Sequence, residues 1–218
     1  MIPIILKLKK EIHKNIAGAQ DIIVEEIYRV FNDAVLHGGT AIWRCYNGNR
    51  FSEDVDVYLT KDVKKLDLLF DNLKKQGFEI EKKKIGENSV YSKLKINRNE
   101  VRFEALFKKV SGSLKEYETA EGNLITVYTL TPEEFIKEKV AAYLKRNKVR
   151  DLYDIFFLLR FVSNPDKIRE NLNYFVKNFE KPADETEIKV LILSGLVPTA
   201  EKMLDYITDY NGLHKKVI

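Results

Sequence analysis

A glycine pair followed at a set distance by an aspartate pair constrains this chain most. Leu36-His37-Gly38-Gly39-Thr40-Ala41-Ile42 reads as a strand end, a tight turn and a helix start. Arg50-Phe51-Ser52-Glu53-Asp54-Val55-Asp56-Val57 then reads as a strand carrying two carboxylates. Gly38 and Gly39 have no Cβ, so backbone there can come close to a ligand. A helix opening at Thr40 points its first amides, and the positive end of its dipole, at an anion. Asp54 and Asp56 are two apart and project from one face of a strand. Such a pair beside a phosphate cradle suits Mg²⁺ shared with a nucleoside triphosphate, because Mg²⁺ takes one or two carboxylates and completes its shell with water and phosphate oxygens. Ser52 shares that face and can bond a phosphate oxygen, and Arg50 can pair with phosphate through its planar fork.

The hydrophobic pattern places these residues in an α+β fold. Helices are expected over 4–16 and 21–31, the second with Ile22, Ile23, Ile27, Val30 and Phe31 as its buried stripe. Further elements follow as a strand at 34–37, a helix at 40–46 and an alternating strand at 54–59. A helix at 66–76 is stopped by Gly77. Strands are expected at 78–85, 89–97, 100–107 and 124–129. Thr131-Pro132-Glu133-Glu134 is then a capping box, with Thr131 as N-cap and Glu134 at the third position. Beyond it the chain reads as helices over 132–146, 149–162, 166–179, 184–195 and 199–209. The expected organisation is a small mixed-sheet domain over 1–130 and a helical domain over 131–218, with a nucleotide cleft between them.

Composition removes several classes. The 218 residues carry 44% hydrophobic and 11% aromatic residues, enough for one sizeable core or two small ones. No apolar run is long enough for a bilayer, and Met1 to Lys7 is too short and too soon charged for a signal peptide. One cysteine, Cys45, excludes a disulfide framework and a cysteine zinc site. A cytoplasmic protein is the default expectation. The formal charge of +4 permits a polyanionic partner without demanding one. No glycine-rich loop ends in Gly-Lys-Ser or Gly-Lys-Thr, which excludes a kinase-type phosphate loop. His13, His37 and His214 are scattered, and Cys45, Trp43 and Tyr46 read as core or pocket wall. Lys82-Lys83-Lys84 reads either as a solvated sheet edge or as a contact for a nucleic-acid backbone.

Gly38-Gly39-Thr40 with Arg50-Phe51-Ser52-Glu53-Asp54-Val55-Asp56 resembles the motif of AbiEii/AbiGii-type nucleotidyltransferases, in the polymerase-β-like superfamily. Lys139 to Ala142 and Arg150-Asp151-Leu152-Tyr153-Asp154 resemble the family's later motifs. The resemblance implies transfer of a nucleoside monophosphate from NTP to an acceptor, with Mg²⁺ or Mn²⁺ bound by Asp54 and Asp56. The superfamily's third acid stands on a neighbouring strand. Glu104, the one carboxylate in the middle of strand 100–107, is the candidate, against an alternative in which it forms an ion pair with Arg102. Gly38, Gly39, Thr40, Arg50 and Ser52 would bind nucleotide, and Lys139 would contact the triphosphate. Asp154 or Asp151 would belong to the active site, against a helix-start ion-pair cluster with Arg150. The resemblance further implies a toxin with a cognate antitoxin, acting on a tRNA 3′ end or a protein. A binding protein on the same scaffold that has lost catalysis, and a partner-binding module, are the alternatives.

Overall fold

The computed structural model describes residues 3–212; His214 and the ends of the two expected domains lie outside them. The chain divides into two compact units, one running to Leu130 and the other beginning at Thr131. The first unit comprises α1 (Ile4–Lys7), α2 (Glu11–Val30), β1 (Val35–His37), α3 (Gly38–Cys45), β2 (Val55–Leu59), α4 (Val63–Lys75), β3 (Glu79–Ile85), β4 (Ser89–Ile96), β5 (Asn99–Phe107), β6 (Ser113–Glu118) and β7 (Leu124–Thr129). The second holds α5 (Pro132–Arg146), α6 (Val149–Leu158), α7 (Arg169–Lys177), α8 (Ile188–Leu191) and α9 (Ala200–Tyr210).

Seven strands form one mixed sheet in the order β3-β4-β5-β2-β1-β7-β6. β2 runs parallel to β5 and antiparallel to β1, and β1 runs parallel to β7. Alternation decides the two faces. Val55, Val57, Val90, Leu94, Val101, Phe103 and Ala105 are buried on one face, where Phe70 of α4 meets Phe103 edge-on at 6.1 Å. Asp54, Asp56, Tyr91, Arg102 and Glu104 take the intervening positions and so project from the other.

Three expectations are corrected and one strand is added. The first two helices are one beyond residue 11, because Ile16, Ala17, Ala19, Gln20, Ile23 and Ile27 bury a single continuous stripe. That burial outweighs the roughly 1 kcal/mol cost of Gly18 in a helix interior. The strand β6 is unheralded: it is an edge, Leu114 is exposed, and only Tyr117 supplies an apolar anchor. Helix α3 begins at Gly38 and not at Thr40. Within the expected helix 184–195 only a 3-10 turn, Glu185–Glu187, and the four residues of α8 are helical, and Gly195 takes φ +85°.

A buried charge cluster ties α2, α3 and the β6–β7 turn together. Arg44 is 1% exposed and lies 3.2 Å from Asp21. It donates to the carbonyls of Ala17 and Glu118 at 2.9 and 3.1 Å, and stacks 4.2 Å from the centroid of Trp43. Asp21 also accepts from the Tyr117 hydroxyl at 2.9 Å and the Ala120 amide at 2.7 Å. Burial pushes the Asp21 carboxyl above its usual range, against the pull of Arg44 and these two donors.

In the second unit the capping box forms as read: Thr131 accepts from the Glu134 amide and Glu134 from the Thr131 amide. Glu133 accepts from the Ser163 and Asn164 amides at 2.8 and 2.9 Å, fixing the turn after α6. Tyr143, Phe175 and Phe179 make the aromatic contact between α5 and α7.

Removing the guanidinium alone should be costly. Arg44→Met leaves Asp21 buried without its cation, and should lower unfolding free energy by about 3–5 kcal/mol. Arg44→Met with Asp21→Asn should recover part of the loss, which chemical denaturation of the two variants measures.

Candidate active site

The strand register assembles the site. Asp56 pairs with His37 of β1 on one side and with Glu104 of β5 on the other. Asp54 stands one residue before β2 and faces Arg102, whose Nε and Nη2 donate to its two carboxylate oxygens at 2.7 and 2.5 Å. The guanidinium thus bonds Asp54, and Glu104 is left beside Asp56. Burial, then the negative charges of Asp56 and Asp54, push the Glu104 carboxyl above its usual range, while Arg102 and His37 pull it down. Asp54 and Asp56 thus both act on Glu104, with the Arg102 guanidinium beside them.

The glycine turn closes on the same carboxylates. Gly38 has φ +73°, a left-handed conformation that favours glycine, and a Cβ there would overlap the Asp56 carboxylate. A Cβ on Gly39 would stand 2.5 Å from Arg50 Nη2 and 2.6 Å from Ser52 Oγ. Backbone, acid, guanidinium and hydroxyl converge here because no side chain intervenes. Arg50 itself is 5% exposed and donates to the Phe51 carbonyl at 3.1 Å.

Two buried polar side chains hold the loop that carries Ser52 and Asp54. Thr40 donates its hydroxyl to the Asp54 carbonyl at 2.5 Å. Gln20 donates to the Ser52 carbonyl at 2.9 Å and to Thr40 Oγ1 at 3.3 Å. Thr40, expected from sequence to bind nucleotide, thus has its hydroxyl engaged by protein. Gln20 escaped the sequence reading. Its one signal was a polar residue between Ala19 and Ile23 in an otherwise apolar stripe.

Other expected residues are also placed. His37 stacks on Tyr58 with centroids 4.1 Å apart, and His13 stacks on Phe51 at 4.0 Å. Trp43 is buried, and Tyr46 is buried with its hydroxyl donating to the Leu130 carbonyl at 2.7 Å. Burial pushes the Cys45 thiol up to about 12, which makes it a poor nucleophile.

In the second unit Lys139 is 7% exposed, and its ammonium lies 2.7 Å from Asp154 and 3.6 Å from Asp151. Asp151 also accepts two bonds from Arg146, each of 2.7 Å. Asp154 is thus bonded by an ammonium one helix away.

Among the described residues no group of three His, Cys, Asp or Glu stands ready to hold a metal ion. The donor chemistry nevertheless suits a hard divalent cation. Asp54, Asp56 and Glu104 offer oxygen ligands from one face of two adjacent strands, and their mutual repulsion is relieved by positive charge. Among the described residues no helix is long and apolar enough to cross a membrane.

No curated protein matches the chain. Among solved structures it is similar to JHP933 from Helicobacter pylori, at 22% identity and TM-score 0.67, covering 95% of this chain and 94% of that one. It is also similar to MenT4, a nucleotidyltransferase toxin from Mycobacterium tuberculosis, at 18% identity and TM-score 0.68, covering 99% and 88%. At these identities the likeness is one of fold. The family described as nucleotidyl transferase AbiEii toxin, type IV toxin–antitoxin system, matches residues 26–206. That span takes in the glycine turn, the Asp54–Asp56 strand, Glu104, Lys139 and Asp154, and the chain belongs to the AbiEii family of nucleotidyltransferase toxins.

Proposed function

We propose that this nucleotidyltransferase moves a nucleoside monophosphate from an NTP to an acceptor hydroxyl and releases pyrophosphate, using Asp54, Asp56 and Glu104 to hold Mg²⁺ or Mn²⁺. The supporting observation is the seat of Gly38 and Gly39 against Asp56, Arg50 and Ser52. It brings a backbone able to approach phosphate to within contact of a carboxylate suited to the cation. When bound, the cation supplies charge neutralisation on the triphosphate and on the attacking and leaving oxygens. Gly38, Gly39 and Ser52 orient the phosphates. Arg50 holds its guanidinium against the turn, and Thr40 and Gln20 keep Asp54 in place from behind. Lys139, paired with Asp154, is the cation assigned to the charge that develops on pyrophosphate. The acceptor is a tRNA 3′ end or a protein, and a cognate antitoxin is the expected regulatory partner in the cytoplasm.

Arg102 adds a condition. Its bidentate bond occupies both oxygens of Asp54, so a cation must displace or share it. That observation also favours the second reading, a scaffold that binds NTP or RNA without turnover.

Two experiments separate the readings. Wild type incubated with each α-labelled NTP, Mg²⁺ and total tRNA should label RNA or protein. Asp54→Asn should abolish labelling and leave the thermal melt unchanged; labelling retained in Asp54→Asn removes the assignment. Arg102→Gln should raise Mn²⁺ affinity in the absence of nucleotide several-fold, read by paramagnetic resonance. Unchanged Mn²⁺ affinity would show that Asp54 does not ligate the cation, and NTP binding without labelling selects the scaffold.

A further inference from the structure

Helix α2 departs from two local rules along one stripe. Gly18 stands in its interior, where glycine weakens a helix. A Cβ at Gly18 would meet no atom within 4 Å, and its φ lies outside the left-handed region. The fold itself therefore has no need of glycine there. Asp21 and Glu25 follow three and seven residues on, a like-charge pair four apart, which also weakens a helix. Burial raises the Asp21 carboxyl, and the charge of Glu25 raises it further. Departures of this kind collect where a surface serves something besides folding.

All three residues line one cavity of about 480 Å³, whose other walls are α1, the β4–β5 turn and the β6–β7 turn. The Ile5 amide donates to the Ala120 carbonyl at 2.9 Å and fastens α1 to the β6–β7 turn. Gly18 leaves the α2 wall open, and Ile5, Ile22 and Ile96 supply apolar surface. Asn97 and Asn123 add amide groups from the two turns. The lining carries three carboxylates, Asp21, Glu25 and Glu121, against the ammonium of Lys14. That ammonium is bonded to Glu11 at 3.1 Å, and Asp21 already faces Arg44. Glu25 stands 3.9 Å from Arg29, whose closer bond, of 2.6 Å, goes to Glu26. Glu121 is exposed in the β6–β7 turn. Glu25 and Glu121 thus give the cavity its negative charge.

Such a lining repels anions, and three isoleucines around a space of this size are mismatched to a bare metal ion. An alkyl chain with an ammonium group at each end fits both parts. Its methylenes pack on the isoleucines and on the bare helix at Gly18, and its ammonium groups donate to carboxylate and amide oxygens. We propose that the cavity built on Gly18, Glu25 and Glu121 binds a linear alkyl polyamine. The bound ligand sets positive charge beside the Asp21 and Glu25 pair and covers Gly18, which relieves both departures in α2. That helix also carries Gln20, which donates to the Ser52 carbonyl, so the ligand steadies the helix behind the Ser52 loop. The site stands apart from the sheet carboxylates and does not depend on the reaction assigned to them.

The test is calorimetric titration of the full chain with spermidine at low salt, with thermal melts alongside. Spermidine should bind at one site and raise the melting temperature. Spermidine acetylated at both ends, which keeps the chain and loses the terminal charges, should fail to compete. Glu25→Gln with Glu121→Gln should weaken spermidine about tenfold, the scale of two half-exposed ion pairs. Gly18→Leu places a good helix former in the open wall, so it should raise the melting temperature of the free protein and abolish spermidine binding. If Gly18→Leu does not fold, the two exposed glutamates decide the matter. No binding by wild type, or affinity equal in wild type and the folded variants, overturns the inference. So does displacement of spermidine by Mg²⁺ at equal charge, which makes the site a metal site. Pentalysine that binds more tightly than spermidine also overturns it, in favour of a basic peptide.

Discussion

The site depends on the absence of two Cβ atoms. Gly38 sits where a side chain would overlap Asp56, and Gly39 where one would strike Arg50 and Ser52. The backbone of the turn therefore comes close to those three side chains. The turn is held from outside as well: Thr40, two residues on, is fastened to the Asp54 carbonyl, and Gln20 of α2 is fastened to the Ser52 carbonyl and to Thr40. Helix, turn and loop thus share one small set of hydrogen bonds, and a shift in any of them moves the carboxylates.

Charge is balanced differently in the two units. In the sheet, the fork of Arg102 bonds Asp54, and burial, then the charges of Asp56 and Asp54, raise the Glu104 carboxyl above its usual range. Carboxylates grouped on one sheet face are suited to a hard cation. In the helical unit, Lys139 and Arg146 together face Asp151 and Asp154, and both carboxylates are fully desolvated. Burying such a group costs several kcal/mol per ion unless its partners are well placed, so the geometry of α5 against α6 is tied to this network. The Arg44 and Asp21 pair makes the same demand on the core beneath the sheet.

The glycine turn, the Asp54 and Asp56 alternation, the strands at β2 to β5 and the capping box at Thr131 were legible in the chain, because each is a local rule. A turn needs a residue free of Cβ, a strand repeats every two residues, and a helix start needs acceptors for its first amides. Edge strand β6 was not legible, since Leu114 is exposed and Tyr117 is its one buried apolar residue. Nor was the continuity of α2 through Gly18, where burial overrides propensity.

What sequence alone determined was the inventory: two glycines, two acids on one strand face, a third acid on another strand, and a lysine run at an edge. Tertiary structure decided how they meet. Register placed Glu104 beside Asp56 and Arg102 against Asp54, and it put Lys82 and Lys84, but not Lys83, on the same face. Packing drew Gln20 under the loop and matched Lys139 to Asp154 across two helices. The reason is physical: period and capping are set by neighbours along the chain, whereas register and ion pairing are set by what remains to be buried once the elements pack.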